Sequence, residues 1–379
     1  MYSSYTTHRL TVRQKIRQVN WGLILVLTAT AAIGVAMLYS AGDGSWTPWA
    51  VRQALRYAVG ICILLAIALI DIRFWWRNSY VIYGLLLCLL ISVEIIGSIS
   101  MGAQRWINLG LIRLQPSELM KVALIVALAR YFHGVSIEDS GRLRFICMPL
   151  ILIGAPAVFV LKQPDLGTAV FIIVTGLAVL FVAGLRLWKF GLVLGIAAAA
   201  IPIVWGTLHR YQQKRILTFL DPESDPLGAG YHIMQSKIAL GSGGLTGKGF
   251  MLGSQSHLNF LPEKQTDFIF TMVAEEFGLL GGLILLGLYI VMMVYGVFIS
   301  LNSRSHFGRL LAMGITSMLF LYVFINIAMV MGIVPVVGVP LPLISYGGNA
   351  MLSVLIGVGF LINVHIHRDI ILSRSGNES

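Results

Sequence analysis

The sequence has 379 residues, of which 57% are hydrophobic and only 11% are charged. A soluble domain carries about a quarter charged residues, so this composition excludes an ordinary water-soluble protein. The formal net charge of +11 could indicate nucleic-acid binding, but no nucleic-acid-binding motif is present, and basic cytoplasmic loops give a membrane protein the same excess. We therefore predict an integral membrane protein that binds no nucleic acid.

Apolar segments of about the length needed to cross 30 Å of hydrocarbon recur along the chain. A backbone inside lipid must satisfy its own hydrogen bonds, so these segments are predicted to be α-helices and the fold class to be all-α. The ten predicted spans are 21–40, 55–71, 79–99, 117–134, 146–161, 165–184, 189–208, 267–300, 309–332 and 346–364. The break at 162–165 is predicted to be a tight external turn.

The basic residues between the spans predict the orientation of the chain. The first 20 residues contain four basic residues and no acid, and further basic residues recur in every second connection. These residues are Arg9, Arg13, Lys15 and Arg17, then Arg73 and Arg77, Arg142 and Arg144, Arg186 and Lys189, and Arg304 and Arg309. Because basic loops stay in the cytoplasm, both ends are predicted to be cytoplasmic. We expect a segment 1–20, a single membrane domain 21–364 and a cytoplasmic tail 365–379.

Three predicted external connections differ from the short loops elsewhere. Residues 209–266 form a 58-residue connection between the seventh and eighth spans, far longer than loops in a compact domain usually run. Residues 100–116 form a shorter but unusual stretch that contains Gln104, Arg105, Trp106 and Asn108, and residues 333–348 are rich in proline and glycine. Because binding and catalytic residues concentrate in such loops, we expect the functional site on the external face.

Ionisable side chains within or at the edge of a membrane span are costly and are usually functional. This chain has seven in such positions: Glu94, Glu118, Lys121, Asp165, Asp267, Glu275 and Glu276. The i,i+3 spacing of Glu118 and Lys121 places them on one helix face. They form either a local ion pair or, together with Asp165, a polar cluster that faces the bundle interior. Glu94 lies deep in the third predicted span, and its role stays open.

Glu275 and Glu276 lie about two helical turns after Asp267. Adjacent residues on a helix point in different directions, so at most one of the two can face a site. We favour a structural role for both, with one of them meeting a basic loop.

Asp267 stands between the long external connection and the eighth span, directly after the proline and polar residues of 262–266. Two interpretations are open. Aspartate is a preferred N-cap residue, so Asp267 could simply cap the helix that follows it. A carboxylate at the external interface, beside a basic loop, is also where a general base for a lipid-tethered substrate would lie.

The glycine-rich stretch 241–249 has only a superficial similarity to a nucleotide-binding P-loop. The P-loop pattern requires glycine at position 242 and serine or threonine at position 249, where this chain has Ser242 and Gly249. No strand is predicted before the stretch. We predict a flexible or re-entrant segment, with its backbone amides and Lys248 near an anionic group.

Several separated motifs make the chain resemble the SEDS family (shape, elongation, division and sporulation) of bacterial cell-wall polymerases. The resemblance covers about residues 20–365, with the motifs in the family's order. These motifs are Gly-Ala-Gln-Arg-Trp-Ile at 102–107, Gln-Pro-Ser-Glu at 115–118 with Lys121, Gln-Pro-Asp-Leu-Gly-Thr at 163–168, Phe-Leu-Asp-Pro at 219–222, Gly-Tyr-His at 230–232, Gly-Ser-Gly-Gly at 241–244, Phe-Leu-Pro-Glu at 260–263, Thr-Asp-Phe-Ile-Phe at 266–270 and Ser-Tyr-Gly-Gly at 345–348.

The resemblance implies a peptidoglycan glycosyltransferase that polymerises lipid II at the outer face of the bacterial inner membrane. Asp267 matches the family's essential aspartate and would act as the general base. The other matched positions are the polar cluster in the membrane and three external motif positions: Glu118, Lys121, Asp165, Arg105, Trp106 and Ser345. The 259–263 sequence and the short termini are more similar to the elongation member than to the division member, which implies a role in cell elongation and shape.

A departing pyrophosphate accumulates negative charge and needs cations around it. The external candidates are Arg105, Arg210, Lys214, Arg215 and Lys248. Arg105 and Arg215 come first because arginine binds phosphate oxygens in a bidentate geometry. A divalent cation could also bind the pyrophosphate, although the sequence has no obvious cluster of metal ligands. The resemblance also implies protein partners: a class B penicillin-binding protein as transpeptidase, and other elongation-complex proteins.

Two alternative functions belong to other classes. The first is a lipid II flippase or another transporter of lipid-linked substrates, which ten spans and intramembrane charges would also fit. Against it, the sequence has no internal repeat between its halves, and the charges lie near the external face rather than at the midplane. The second is a scaffold that only organises a partner, which would need no carboxylate at position 267.

Overall fold

The protein is described by a computed structural model that covers residues 10–100, 103–108, 110, 113–135, 145–207, 210–221, 228–257 and 264–373. It is a helical bundle with one small sheet. The elements in chain order are α1 Val12–Gln18, α2 Trp21–Ala41, α3 Ala50–Leu69, α4 Ile72–Ile96, β1 Ser98–Ser100, β2 Ala103–Asn108, β3 Arg113–Leu114, α5 Pro116–Gly134, α6 Cys147–Lys162, α7 Leu166–Val182, α8 Leu187–Thr207, α9 Arg210–Leu220, α10 Ala229–Ser242, α11 Ser254–His257, α12 Ile269–Asn302, α13 His306–Val330 and α14 Gly348–Ile366.

Every predicted span overlaps one of these helices. Within the described residues, six helices are long and apolar enough to cross a membrane, namely α2, α3, α4, α12, α13 and α14. The helices α6 and α7 are apolar but shorter. The predicted turn at 162–165 is confirmed, because α6 ends at Lys162 and α7 begins at Leu166.

The third predicted span begins too late in the sequence. The Asp71 carboxylate accepts a hydrogen bond from the backbone N–H of Arg73 at 2.9 Å and caps α4, so the helix starts at Ile72. Arg73 and Arg77 therefore lie on the first turns of α4 and not in a loop. The helix also ends at Ile96. Glu94 is thus an exposed residue of the last turn, and its predicted position deep in a span is wrong.

The all-α prediction missed a three-stranded antiparallel sheet with the order β1-β2-β3. Ser98 pairs with Trp106, and Asn108 pairs with Arg113. The sheet connects the end of α4 to the start of α5. Because neighbouring residues of a strand face opposite sides, β2 directs Arg105 and Trp106 to different faces.

The helix α5 lies inside the bundle and is buried over nearly its whole length. It packs against α4, α6, α7, α13 and α14. Any polar side chain on its first turns is therefore enclosed by protein, which is the usual place for ionisable groups within a membrane domain.

The first and last described helices meet at one end of the bundle. The last carbonyl groups of a helix have no partner within it, and those of α3 are satisfied from both ends of the chain. Lys15 Nζ donates to the Leu69 carbonyl at 2.8 Å. Asn363 Nδ2, near the end of α14, donates to the Ile67 and Ala68 carbonyls at 3.0 Å each. The opposite end carries the sheet and the starts of α5, α7, α12 and α14.

The helix α12 is interrupted at Gly278, which has φ 66° and ψ −162°. The interruption leaves backbone groups without helical partners, and the glycine-rich stretch supplies them. Leu279 N–H donates to the Gly244 carbonyl at 2.9 Å, and Lys248 N–H donates to the Glu275 carbonyl at 3.0 Å. The stretch is therefore a turn that packs into the helix break and not a phosphate-binding loop.

The break in α12 also determines which part of α13 lies next to the start of α12. A straight helix of 34 residues would be about 51 Å long. From His306 to Asn326, the antiparallel α13 rises only about 30 Å. Asn326 nevertheless contacts Asp267, two residues before the start of α12. The helix α12 must therefore bend at Gly278, and this bend brings its first residue back towards the end of α13.

Replacing Gly278 with alanine is expected to lower the free energy of unfolding by about 2 kcal/mol or more, because a positive φ is strained for a side chain. A Cβ atom there would also collide with the backbone of Gly247 and Leu245. The matched control is Gly287→Ala in the same helix, where a Cβ meets nothing within 4 Å. Thermal unfolding in detergent measures both variants. Equal stability of the two would contradict the role assigned to the break.

Candidate active site

Asp267 lies in the turn 264–268 that precedes α12, and its side chain is half-buried. The N-cap of α12 is the next residue, Phe268, which makes no side-chain capping hydrogen bond. Asp267 thus lies one residue before the N-cap position. The backbone carbonyl of Asp267 accepts a hydrogen bond from Asn326 Nδ2 at 3.0 Å.

The segment 333–347, which connects α13 to α14, holds this turn in place. Ser345 Oγ donates to the Thr266 carbonyl at 2.6 Å, and Tyr346 N–H donates to the Gln265 carbonyl at 2.8 Å. A Cβ built on Gly338 would lie 3.5 Å from Asp267 Oδ2, so the carboxylate lies over the backbone of this glycine. Ser345, predicted to belong to the site, thus acts here by holding the backbone next to Asp267.

Buried side chains of the bundle fix the same segment. Gln53 Nε2 donates to the carbonyls of Leu343 and Ser345 at 3.3 and 3.1 Å. Tyr289 OH donates to the Pro342 carbonyl at 2.5 Å. A proline- and glycine-rich connection would otherwise be conformationally free, and ordering it costs entropy. These bonds stabilise a single conformation under Asp267.

Arg105 and Asp165 form an ion pair at the same end of the bundle, with Nη1 and Oδ2 3.1 Å apart. Asp165 caps α7, because it accepts hydrogen bonds from Thr168 N–H at 3.2 Å and Oγ1 at 2.9 Å. Its side chain is only 6% exposed, whereas that of Arg105 is 29% exposed. Arg105 Nε is buried and has no hydrogen-bond partner among the described residues. The arginine therefore keeps donors for an additional anion.

Gly167 brings this ion pair close to the segment 333–347. A Cβ at Gly167 would collide with the carbonyl oxygen of Val337, so the backbones touch here. Val337 directly precedes Gly338, over which the Asp267 carboxylate lies. The ion pair and Asp267 thus lie on either side of one short stretch of backbone.

Glu118 and Lys121 form a buried triad with Tyr322 of α13. Lys121 Nζ donates to Glu118 Oε1 and to Tyr322 OH at 2.7 Å each, and Tyr322 OH donates to Glu118 Oε2 at 2.5 Å. The Lys121 ammonium also lies 4.4 Å from the centroid of the Phe171 ring. The ion pair predicted for Glu118 and Lys121 is confirmed. Asp165, which was considered as its third member, instead pairs with Arg105.

The remaining predicted cations differ in their surroundings. Arg215 is exposed, and its Nη1 donates to the Val336 carbonyl at 3.3 Å, which places it on the segment 333–347. Lys214 is exposed on the same helix, α9. Lys248 Nζ pairs with the buried Glu275 at 2.8 Å. The side chain of Arg210, the first residue of α9, lies outside the described part of the structure.

The pairing of Lys248 confirms the structural role predicted for the two adjacent glutamates. Glu275 meets the basic residue of the glycine-rich stretch, and Glu276 accepts a hydrogen bond from Ser40 of α2. Lys248 was expected near an anionic ligand. Its charge is instead matched by Glu275, so it is a poor candidate for binding a substrate.

Sequence reasoning missed three residues of the site. Tyr322 and Asn326 are polar residues one turn apart in the otherwise apolar stretch 318–330 of α13, and this spacing was the signal that could have identified them. Arg56 was placed inside a span, but α3 begins at Ala50, so Arg56 lies on its second turn. Its guanidinium lies 4.7 Å from the centroid of the Tyr346 ring.

The site combines one half-buried carboxylate with nearby arginines at one end of a membrane bundle. Such an arrangement can take a proton from a hydroxyl group and stabilise a charged leaving group. Within the described residues, no group of three His, Cys, Asp or Glu side chains is placed to hold a metal ion.

Several known proteins are similar to this chain over most of its length. The peptidoglycan glycosyltransferase MrdB of Escherichia coli K12 is 45% identical over 358 residues, which cover 93% of this chain and 95% of that protein. A solved structure described as a peptidoglycan synthase complex that coordinates polymerization and crosslinking has a TM-score of 0.79 and 32% identity, and covers 93% of this chain and 98% of its own. The crystal structure of Thermus thermophilus RodA has a TM-score of 0.70 and 29% identity, with the same two coverages.

The family resemblance predicted from the motifs is confirmed by a match over nearly the whole chain. The family model for FtsW, RodA and SpoVE, described as cell cycle protein, matches residues 15–370. The helical bundle of this chain also matches the membrane fold of RodA. The chain belongs to the FtsW/RodA/SpoVE family of multi-pass bacterial membrane proteins.

Proposed function

We propose that this chain is a peptidoglycan glycosyltransferase that polymerises lipid II into glycan strands during cell elongation and shape maintenance. The activity follows from the extensive identity to relatives named peptidoglycan glycosyltransferase MrdB. The observation that carries the mechanism is the Asp267 carboxylate over Gly338, in a turn held from several sides by buried hydrogen bonds.

In the proposed reaction, Asp267 is the general base. A sugar hydroxyl of the acceptor gives its proton to the Asp267 carboxylate while its oxygen attacks the anomeric carbon of the donor. The bond from that carbon to the phosphate oxygen breaks, and its electron pair leaves with undecaprenyl pyrophosphate. Inversion in one step needs a single base, and no covalent enzyme intermediate is involved.

The leaving pyrophosphate needs compensating positive charge. Arg105 is the first candidate, because its guanidinium is 29% exposed while it pairs with the buried Asp165 at the end of the bundle that carries Asp267. Arg215 and Arg56 border the same segment 333–347. We assign Lys248 a structural role, because it is already paired with Glu275.

A divalent cation on the pyrophosphate is also part of the proposal. The described residues contain no group of three metal-binding side chains. Phosphate oxygens and water would therefore supply most of the ligands, as is usual for magnesium bound to phosphates.

The proposed orientation places the site on the periplasmic side of the inner membrane. Basic residues concentrate at the end of the bundle where α1 meets α14, and basic loops stay in the cytoplasm. In this orientation the ten predicted spans place both chain ends inside and the connection 209–266 outside. The polyprenyl tails would lie in grooves between helices that open to lipid.

A class B penicillin-binding protein is the proposed partner. The similar peptidoglycan synthase complex couples polymerization to crosslinking. This chain has no Ser-x-x-Lys set for transpeptidation. We expect it to make the strands that the partner crosslinks.

The purified protein, alone and with its transpeptidase partner, should convert lipid II to long glycan strands visible on a gel. A parallel assay of lipid II movement across vesicles separates the flippase alternative. Glycan synthesis without movement supports the proposal. Movement of lipid II without any glycan product would reverse it.

Replacing Arg105 with lysine is expected to slow polymerisation about tenfold or more. Lysine keeps the charge beside Asp165 but loses the planar donor pair that binds two phosphate oxygens. The control is Arg113→Lys, an exposed arginine of the same sheet. Steady-state rates over a range of lipid II concentrations measure both, and equal rates for the two would contradict the role of Arg105.

A further inference from the structure

Asn326 is completely buried on the last turns of α13, one helical turn after Tyr322. Its side-chain amide nitrogen donates two hydrogen bonds, to the Asp267 carbonyl at 3.0 Å and to the Val339 carbonyl at 2.8 Å. Both partners are acceptors, so the nitrogen and not the oxygen must face them. One side chain thus joins the turn of Asp267 to the segment 333–347.

The two residues that Asn326 joins lie on either side of the contact between the Asp267 carboxylate and Gly338. Val339 follows Gly338, over whose backbone the Asp267 carboxylate lies. Asn326 therefore fixes both the chain that carries the carboxylate and the chain beneath it. A shift of either chain would change the distance between the carboxylate and an incoming hydroxyl.

We propose that Asn326 is a positioning residue for Asp267, which sets the carboxylate at its working distance over Gly338. This inference rests on the proposed function, in which Asp267 is the general base. Both hydrogen bonds of Asn326 go to backbone carbonyl groups, so it acts through the backbone on both sides of the carboxylate.

The helix that carries Asn326 is itself held in place by other contacts in the bundle. Tyr322, four residues earlier on the same helix face, is held by Glu118 and Lys121 of α5. The helix α13 is thus fixed one turn below the bridge by buried, charge-assisted hydrogen bonds. Because Asn326 lies on this fixed helix, its hydrogen bond holds the turn of Asp267 at a fixed position relative to α13.

A general base is sensitive to displacement, because a shift of about 1 Å costs roughly 100-fold in rate. Removal of Asn326 should therefore reduce turnover and leave substrate binding nearly unchanged. A residue that only stabilises the fold would lower the amount of active protein, without changing the kcat of the protein that remains folded.

The test uses the full-length protein with its transpeptidase partner and lipid II. Asn326→Ala loses both hydrogen bonds, whereas Asn326→Ser keeps a hydroxyl that can donate one. We expect kcat to fall about 10- to 100-fold in the alanine variant and less in the serine variant, with KM within about twofold of wild type. The serine variant decides the question if the alanine variant does not fold.

Tyr83→Phe is the matched control, because it removes a buried hydrogen bond from Tyr83 OH of α4 to the Leu152 carbonyl of α6 at 2.8 Å and leaves the turn of Asp267 and the segment 333–347 unchanged. Thermal unfolding is measured for all variants. The inference is overturned if Asn326→Ser and Asn326→Ala keep the kcat of wild type, or if they lose no more than Tyr83→Phe at similar stability.

Asp267→Ala in the same assay separates this inference from the proposed function. An inactive Asp267→Ala with fully active Asn326 variants would refute only the positioning role. An active Asp267→Ala would refute the general base, and the positioning role with it.

Discussion

Replacing Asp267 with alanine or asparagine is expected to abolish glycan polymerisation while the protein remains folded. General base catalysis contributes about 100- to 10,000-fold to a rate. Asparagine has the size of aspartate but cannot accept the proton of the sugar hydroxyl. Asn326, Ser345 and Tyr346 hold this turn through its backbone carbonyl groups, which both substitutions keep. The fold should therefore survive the substitution.

The assay measures glycan product from lipid II with purified protein and partner, and thermal unfolding checks the fold. Asp369→Asn is the control, because this carboxylate is 73% exposed at the opposite end of the bundle. Copurification of the partner with Asp267→Asn should match wild type. Long glycan strands from either Asp267 variant would refute the role of Asp267 as the general base.

Apolar length and charge predicted most of the helices but not all of their ends. The predicted third span began at residue 79, because Arg73 and Arg77 were taken as loop residues. The structure starts α4 at Ile72, where Asp71 supplies the cap. Arginine can extend its charged end to the interface from within a helix, so a charge does not mark a helix end reliably.

The break in α12 could not be predicted from hydrophobic periodicity. Residues 267–300 were predicted to be one uninterrupted span, and Gly278 is only one of several glycines in it. What distinguishes Gly278 is a partner 30 residues earlier, since the turn at 243–249 satisfies the backbone groups that the break exposes. Such long-range backbone pairing leaves no pattern in hydrophobicity.

The candidate site was only partly predictable, because its arrangement also depends on backbone contacts between distant parts of the chain. Asp267, Arg105 and Asp165 were identified because charges and external motifs are visible in the sequence. Their arrangement depends on carbonyl groups of the segment 333–347, which any residue possesses. The role of Ser345 as a backbone partner of Thr266, and the bridge made by Asn326, could be recognised only in the structure.

Neutralising one member of the buried triad is expected to destabilise the protein by about 3–5 kcal/mol. Glu118 and Lys121 are 5% and 2% exposed. Glu118→Gln leaves the lysine without a counterion inside the bundle, and Lys121→Met leaves the glutamate in the same condition. Thermal unfolding in detergent and the yield of folded protein measure the effect of each single substitution.

The double variant Glu118→Gln with Lys121→Met separates stability from function. It carries no unpaired charge, so most of the lost stability should return, because neutral replacements of buried ion pairs are often close to neutral in stability. Polymerisation should stay at least tenfold below wild type. The reason is that Tyr322 loses the charge-assisted bonds that fix α13 one turn below Asn326. If the double variant is as active as wild type, the triad only compensates buried charge and does not position α13 for catalysis. Tyr322→Phe, which leaves the ion pair in place, should then be fully active as well.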